Sequence, residues 1–513
     1  MHDHDASAPS RDPTGEAKDR ITKETAMKLY RFSPAVVVAT LGLAGCSDQS
    51  GPATPASTQL PVHAQISQYG TSRHVVLFAA ERVPADFRER VSRLGGSVEA
   101  SLDSIGVAAV TGLTEAAAAE LAAESGIQRV EPDVVMTVPD DHVEAADAAS
   151  AALASPDATA SPSAAQFYPR QWNMRAVFAD QAWAAGRLGS RDVVVAILDT
   201  GIDYLHPDLV GLVDLERSKS FVPEEDAAVA ARFPGRLPIS DLQWHGTAVA
   251  SIVASNATLL AGVNRYVTLI AVKTTDSTFQ TTLGRLLSGI VYAADQGVDV
   301  INLSRGGTFD KSQNRGILAA FERAVNYAFR RGALFVTIAD NDGADLDHNG
   351  DGVKLPCEVA NAVCVSGTGP TAAVGINGPW TNVDASAPYS AFGRSVIDVA
   401  APSGTGNPGQ FRRVWLPCTT TTTATTGAPA CRTGPAPRLA QGAGTSFAAP
   451  HVAGLAALLV AQLGHGNPAL IRARILQSAD DLGQPGMDPF YGRGRINIAR
   501  ALGVNAEGQE EKP

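Results

Sequence analysis

The sequence predicts an α/β protein with a doubly wound, mostly parallel sheet, preceded by a small ferredoxin-like α+β unit. From Gln166 onward, apolar runs such as VVVAILD, LIAVK, VDVINLS and ALFVTIA alternate with helical patterns. That order is typical of parallel strands covered by helices on both faces. Between residues 71 and 138 the apolar pattern instead follows the order β-α-β-β-α-β, which predicts the smaller unit.

The composition indicates a globular chain. Of its 513 residues, 45% are hydrophobic and 18% are charged, enough for one large core and an accessory domain. The formal net charge of -11 argues against broad binding of nucleic acids, so we expect no nucleic-acid partner.

The segment Met27–Cys46 has the pattern of an export signal, with a basic start, an apolar middle and small residues before the cysteine. Its apolar part is short for a membrane span. The ending Leu43-Ala44-Gly45-Cys46 resembles a bacterial lipobox, which implies lipidation of Cys46; an ordinary secretory signal with a coincidental cysteine is the alternative. We interpret residues 1–26 as an extension ahead of the true start at Met27.

The remaining segments divide the chain as follows. Residues 47–70 are rich in Pro, Ser, Thr and Gln and predict a tether, and residues 139–165 predict an exposed linker because they hold few large apolar residues. Residues 166–505 form the α/β domain, and residues 506–513 form a polar tail. Within the small unit we expect strands at His74–Ala80, Ser97–Leu102, Ile105–Thr111 and Ile127–Val138, with helices after Pro84 and from Glu115.

Five cysteines leave one over if the others pair. Cys46 is the odd one, while Cys357 with Cys364 and Cys418 with Cys431 are close enough in sequence for two local disulfides. Export to an oxidising compartment permits such disulfides; free buried thiols are the alternative.

Three polar residues stand at the ends of apolar segments. Asp199 ends the strand VVVAILD, His245 opens HGTAVASIVAS, and Ser446 opens the helix within GTSFAAPHVAGLAALL. Each has an ordinary structural explanation by itself, such as a turn residue or a helix N-cap. Together they supply the hydroxyl, imidazole and carboxylate that acyl transfer requires.

These three stretches resemble the active-site blocks of the subtilisin-like serine peptidases, in the family's order Asp, His, Ser. The resemblance extends from Gln166 to Leu502, because GMDPFYGRGRIN is similar to the family's closing segment. It implies that Asp199 orients the imidazole, that His245 is the general base and acid, and that Ser446 is the nucleophile. The family also uses a side-chain amide in its oxyanion hole, which implies this role for Asn341 in VTIADN.

The resemblance further implies which residues line the substrate cleft: Ser304, Arg305, Gly306, Ala339 and Asp340. Two of them depart from the family pattern, because Asp340 stands where glycine is usual and Arg305 where an apolar residue is usual. Asp340 either favours a basic side chain before the scissile bond or pairs with Arg305, and we expect the pairing.

After Asn341 the sequence GADLDHNGDGVKLPCE is similar to the front half of a calcium loop, with Asp345, Asp347, Asn349 and Asp351 as candidate ligands. The closing glutamate is absent where Pro356 stands, so a solvated acidic turn is the alternative. Calcium would stabilise rather than catalyse, and no catalytic cofactor is expected. We find no zinc motif, and expect His206 and His451 to be packing or hydrogen-bonding residues.

The family resemblance gives the small unit a role. Subtilisin-like peptidases are commonly preceded by a ferredoxin-like propeptide that occupies the cleft until it is cut, and His74–Val138 resembles one; an unrelated adapter domain is the alternative. Cleavage is then expected between Thr137 and Gln166. The sequence thus predicts a self-processed, monomeric serine endopeptidase that acts on proteins or peptides.

Its expected location is the periplasm or cell surface, with a lipid anchor as the only membrane contact and with release of the mature peptidase after processing. Two rival hypotheses are a catalytically weak peptide-binding or inhibitory module and a structural surface lipoprotein.

Overall fold

A computed structural model describes residues 72–137, 142–145, 161–406, 410–421, 431 and 438–504. The predicted extension, export signal, lipidation site at Cys46, tether and polar tail lie outside the described residues.

The small unit has the predicted order of elements. Its strands and helices are β1 (His74–Phe78), α1 (Phe87–Arg93), β2 (Ser97–Leu102), β3 (Val107–Thr111), α2 (Glu115–Ala122) and β4 (Ile127–Pro132). The strands form an antiparallel sheet in the order β2-β3-β1-β4. Val76, Phe78 and Phe87 are buried between the sheet and the helices, so this unit has a core of its own.

The last predicted strand of this unit, Ile127–Val138, is wrong as a single element. The structure ends β4 at Pro132 and begins a separate strand, β5 (Val135–Thr137), which pairs with the large domain. The break falls at Asp133, whose carboxylate accepts a hydrogen bond from the backbone N–H of Gly284 at 2.9 Å. The contact between Asp133 and α7 therefore falls between β4 and β5, whereas the apolar pattern of the sequence predicts one continuous strand.

The large domain contains the remaining elements. Before and around the first long strand lie β6 (His142–Ala145), α3 (Trp172–Ala176), α4 (Ala179–Ala184), β7 (Gly189–Asp199), β8 (Lys219–Ser220), α5 (Pro223–Arg232) and α6 (His245–Val253). The middle holds β9 (Tyr266–Lys273), β10 (Gln280–Thr282), α7 (Leu283–Asp295), β11 (Val300–Leu303), β12 (Gly307–Asp310), α8 (Arg315–Arg330), β13 (Leu334–Ile338), β14 (Gly352–Leu355) and β15 (Ala362–Gly369). The last part holds β16 (Ala372–Ala373), β17 (Trp380–Thr381), β18 (Ala385–Ser386), β19 (Val399–Pro402), β20 (Val414–Pro417), β21 (Leu439–Ala443), α9 (Thr445–Leu463), α10 (Pro468–Gln477) and α11 (Ile498–Ala501).

The central sheet has the order β18-β15-β13-β11-β7-β9-β8, with β19 also paired to β15, and only β18 runs antiparallel. Alternate residues of β7 enter two different cores. Val195 and Ile197 pack with α6 and α9, whereas Val194 and Leu198 pack with α7 and α8. Helices on both faces bury the sheet, which confirms the predicted doubly wound class.

The small unit lies against the face that carries α7 and α8. Val75 and Leu77 share an apolar core with these helices. At the start of α8, the carboxylate of Glu131 accepts hydrogen bonds from the backbone N–H groups of Gly316 at 2.8 Å and Ile317 at 3.1 Å. Asp133 accepts a similar bond from Gly284 at the start of α7. These carboxylates bind helix N-termini, where backbone donors lack intrahelical acceptors.

The prediction of an exposed linker at 139–165 is wrong for part of that stretch. His142–Ala145 forms strand β6, which pairs antiparallel with β21 so that His142 lies opposite Ala443. A backbone ladder to a buried strand holds this segment, and ladder bonds of this kind do not depend on large apolar side chains.

Both predicted disulfides, Cys357 to Cys364 and Cys418 to Cys431, are present. Within the described part of the chain, α9 is the one helix long and apolar enough to cross a membrane, and 83% of its apolar window is buried inside the protein. It is therefore explained as the central helix of the core.

Candidate active site

The predicted site residues gather at the carboxyl edge of the parallel sheet. Asp199 is the last residue of β7, Ser304 follows β11, and Asn341 follows β13. Because β7, β11 and β13 are neighbouring parallel strands, the segments that follow them meet at the same edge.

Asp199 and His245 are in direct contact. His245 Nδ1 lies 2.8 Å from one carboxylate oxygen of Asp199 and 3.0 Å from the other, and both residues are buried. Asp199 also accepts a hydrogen bond from the N–H of Thr200 at 2.7 Å, which fixes the carboxylate. A carboxylate facing Nδ1 favours the tautomer that carries its proton there, so Nε2 is the nitrogen suited to act as a base.

Sequence reasoning missed the residue that holds His245 in place. Asp241 is fully buried, and its carboxylate accepts from the backbone N–H groups of Gln243, Trp244 and Thr247 at 2.8 to 2.9 Å. It also accepts from the hydroxyl of Thr200 at 2.9 Å. In the sequence, an aspartate shortly before a helix is typical of helix capping. The contact between Asp241 and Thr200, the residue after Asp199, is visible only in the structure.

Ser446 is the second residue of α9, and the N-cap is Gly444. The simple explanation of Ser446 as an N-cap is thus wrong. Its backbone carbonyl accepts from Ser304 Oγ at 2.9 Å, and its hydroxyl donates to the Ser304 carbonyl at 3.5 Å. The ring of Phe447, the next residue, lies 5.8 Å from the imidazole of His245, centroid to centroid. The residue after Ser446 thus packs near the imidazole, and Ser446 itself lies at a helix end whose backbone donors favour negative charge.

Asn341 is oriented by the start of the same helix. Its Oδ1 accepts from the backbone N–H and from the hydroxyl of Thr445, each at 2.8 Å. The amide nitrogen, which carries the donors, is then on the branch directed away from Thr445. Asn341 is thus fixed against the residue that precedes Ser446.

The predicted cleft residues face the tail of the small unit. Arg305 Nη1 donates to the backbone carbonyl of Met136, in β5, at 3.2 Å, and to that of Phe279 at 3.3 Å. Strand β5 itself pairs antiparallel with β10, with Thr137 opposite Gln280. The structure thus brings an extended segment of the same chain against residues predicted to bind substrate.

Asp340 has a different partner from the one expected. Lys354 Nζ lies 2.7 Å from its carboxylate and 2.6 Å from that of Asp342, so the predicted pairing with Arg305 is wrong. Burial raises the pKa of Asp340, and the Lys354 ammonium opposes that rise. The φ of Asp340 is 90°, in the left-handed region that favours glycine. Lys354 lies 14 residues along the chain, and no local pattern in the sequence connects it to Asp340.

Two of the candidate calcium ligands accept hydrogen bonds from, or face, other groups of the protein. The carboxylate of Asp347 accepts from the N–H groups of Arg394 and Ser395 and from the Ser395 hydroxyl, while that of Asp345 faces His348 Nδ1 at 2.9 Å. No group of three or more His, Cys, Asp or Glu that could hold a metal ion occurs in the described ranges. A calcium site in this loop therefore stays a prediction.

His206 and His451 have structural surroundings. His451 Nδ1 lies 2.7 Å from the carbonyl of Phe447 and Nε2 lies 3.0 Å from the Asn173 amide, and burial lowers the pKa of His451 to about 4. His206 Nδ1 accepts from the N–H of Asp208 at 3.2 Å. Both match the expected hydrogen-bonding roles.

Comparison with known sequences decides the family. The profile of the Subtilase family, peptidase S8, matches residues 190–494, more than half of the chain. The chain belongs to the subtilase family. Subtilases are serine endopeptidases and need no catalytic cofactor, so this subtilase is an enzyme that hydrolyses peptide bonds.

Individual relatives agree with this family assignment. Thermitase of Thermoactinomyces vulgaris is 31% identical over 338 residues, covering 66% of this subtilase and 97% of thermitase. A thermophilic serine proteinase of Bacillus sp. strain AK1 is 32% identical, covering 65% of this chain and 67% of the relative. Among solved structures, the epidermin leader peptide processing serine protease of Staphylococcus aureus matches with a TM-score of 0.65 at 23% identity, covering 86% and 99% of the two chains. This last likeness shows the fold alone.

Proposed function

We propose that this subtilase is exported as a precursor, cuts itself, and then hydrolyses proteins or peptides with Ser446, His245 and Asp199. The observation that carries this proposal is the buried contact between His245 Nδ1 and Asp199 beside the start of α9. In the first step Ser446 Oγ attacks the peptide carbonyl, and His245 Nε2 takes the hydroxyl proton. Asp199 accepts the Nδ1–H bond and stabilises the imidazolium that forms.

Two donors then bind the oxyanion, namely the Asn341 side-chain amide and the Ser446 backbone N–H. His245 returns its proton to the leaving amine, which departs and leaves an ester on Ser446. A water molecule, deprotonated by His245, attacks this ester, and collapse of the second tetrahedral intermediate frees the acid product and restores the serine.

The small unit acts as a propeptide in this proposal. Support comes from two strand pairs that join the end of the small unit to the large domain. Strand β5 pairs with β10, and β6 pairs with β21, which leads directly into α9 and Ser446. The bonds between Thr137 and His142 are the ones that join these two paired strands along the chain. We therefore narrow the cleavage from the range 137–166 to a bond between Thr137 and His142.

Intact-mass analysis of the precursor Ser47–Pro513 tests this proposal. The wild-type precursor is expected to split at a bond between Thr137 and His142, whereas the Ser446→Ala precursor stays whole because it lacks the nucleophile. A cut only within residues 146–166 would contradict the proposed cleavage range. A cut in both precursors would assign the cleavage to another protease.

Export and anchoring are supported by the signal pattern of Met27–Cys46 alone. Lipidation of Cys46 would tether the precursor to a membrane. Cleavage after Thr137 would then release the peptidase domain from the tethered fragment, so processing would set both activity and location.

The Asp340 contact gives an expected result for specificity. Replacing Asp340 with asparagine should change the ratio of kcat/KM for matched arginine and leucine peptides by less than about tenfold, or 1.4 kcal/mol. The reason is that Asp340 is buried in an ion pair with Lys354, so its carboxylate is not directed at a substrate cation.

The two peptides should differ only in the residue before the scissile bond, and Asp342→Asn is the matched control because it removes the other carboxylate near Lys354. A selective fall of more than about tenfold for the arginine peptide, or more than about 1.4 kcal/mol, would contradict the expectation.

A further inference from the structure

Helix α5, in the insertion between Asp199 and His245, has an acidic first turn that the catalytic steps do not use. We propose that Glu225 in this turn is a positioning residue for substrate binding. Its hydrogen bond from Ser277 fixes the turn at residues 276–280, which leads into β10. Strand β10 is the edge to which an extended peptide would bind. The inference rests on the proposed peptidase function and specifies which substrates need the insertion.

Glu225 makes two strong contacts from a nearly buried position. One carboxylate oxygen accepts from the backbone N–H of Ser277 at 2.7 Å, and the other lies 2.8 Å from Lys273 Nζ. Burial tends to raise the pKa of Glu225, but Lys273 and the bonds from Ser277 outweigh it and hold that pKa below its usual range. The carboxylate is therefore ionised at neutral pH, as a charge-assisted bond to Ser277 requires.

Lys273 connects this contact to the catalytic strand. It is the last residue of β9, lies opposite Asp199 in β7, and has no exposed surface. Its ammonium also donates to the carbonyl of Ser240 at 3.0 Å. Glu225 and Lys273 thus join α5 to the sheet edge at the point where the chain leaves for β10.

The turn that follows Ser277 reaches both the catalytic histidine and β10. Asp276 N–H donates to the Gln280 carbonyl at 2.9 Å, and this bond closes the turn. The ring of Phe279 in the turn lies 5.4 Å from the His245 ring, edge to face. A shift at Ser277 would therefore move the first residue of β10 relative to the site of chemistry.

Strand β10 is a peptide-binding edge because it already pairs with β5 of the small unit. When that unit leaves, the same edge can accept substrate residues on the amino side of the scissile bond by strand addition. The Glu225 bond to Ser277 belongs to the large domain, so it holds the edge in the mature enzyme. Its effect should fall on long peptides and spare substrates that do not reach β10.

Two double variants separate the Ser277 contact from the ion pair. Removing Glu225 alone would leave the Lys273 charge unpaired in the interior and destabilise the fold. Glu225→Gln/Lys273→Met removes both charges and keeps an oxygen that can accept from Ser277. Glu225→Leu/Lys273→Met removes both charges and that acceptor, so the comparison of the two variants isolates one hydrogen bond.

The self-processed enzymes are assayed on a peptide with four residues before the scissile bond and on a short ester with one. For the peptide, the leucine variant is expected to have kcat/KM about tenfold below that of the glutamine variant, mainly through KM, a loss typical of one hydrogen bond. Both variants should hydrolyse the ester equally. Equal values on the peptide, or an equal loss on both substrates, would overturn the positioning role. An inactive wild type on both substrates would instead overturn the proposed peptidase function.

Discussion

The Ser446→Ala enzyme is expected to lose kcat for peptide hydrolysis by on the order of 10⁶-fold, because the members of such a triad act as a unit. The hydroxyl is the atom that bonds to substrate, so His245 and Asp199 have no nucleophile to activate once it is removed. The mutation leaves the fold intact on physical grounds, since alanine has high helix propensity and Ser446 already lies inside the first turn of α9. Because this variant is not expected to cut itself, the small unit is removed from both proteins with an added protease of different specificity. The measurement is then single-turnover kinetics, with melting temperature as the check on folding.

A fluorophosphonate probe gives an independent readout of the same prediction. It should label the wild type at Ser446 and fail to label Ser446→Ala. Ser304→Ala is the matched control, because this neighbouring hydroxyl contacts the Ser446 carbonyl without attacking substrate. Labelling of Ser446→Ala at another serine, together with retained turnover, would reject Ser446 as the nucleophile. A wild type that shows neither turnover nor labelling would instead favour the rival binding-module hypothesis.

Replacing Asn341 with alanine should lower kcat by about 10²- to 10³-fold with little change in KM, the range known for this kind of donor in subtilisin. The amide is expected to bind the oxyanion more strongly than the ground-state carbonyl, so its loss affects the transition state. Steady-state kinetics on one peptide substrate, measured for the wild type and the variant, would show the split between kcat and KM.

Asn341 also contacts Thr445, so a structural explanation has to be separated from the catalytic one. The Asn341→Asp variant keeps an oxygen that can accept both bonds from Thr445 but loses the amide donor. A catalytic role predicts that both variants lose kcat to a similar extent. If Asn341→Asp kept near wild-type kcat while Asn341→Ala did not, the residue would serve only to hold the start of α9.

The alternation of buried strands and helices was enough to predict the doubly wound fold, because a parallel sheet buried on both faces requires continuous apolar strands. The three family blocks were enough to predict Asp199, His245 and Ser446 as a group, since each block carries its polar residue at a strand end or a helix start. The family profile confirms the subtilase assignment. Local sequence patterns were thus sufficient to predict the fold class and the candidate catalytic residues.

The sequence did not predict the features that depend on contacts between segments far apart along the chain. The split of Ile127–Val138 depends on the contact between Asp133 and α7, and the strand at His142–Ala145 depends on pairing with β21. The partner of Asp340 proved to be Lys354, which lies in β14, a strand paired with β12. In each case the deciding contact joins residues that no periodicity relates.

What the sequence by itself determined is therefore the fold class, the family and the residue types available for chemistry. These depend on apolar periodicity and on short motifs, which are properties of neighbouring residues. Only the tertiary structure decided which carboxylates are neutralised, which donors surround Ser446, and how Glu225 reaches the turn before β10. Electrostatic and hydrogen-bond partners are set by distance in space, and folding sets that distance without regard to separation along the chain.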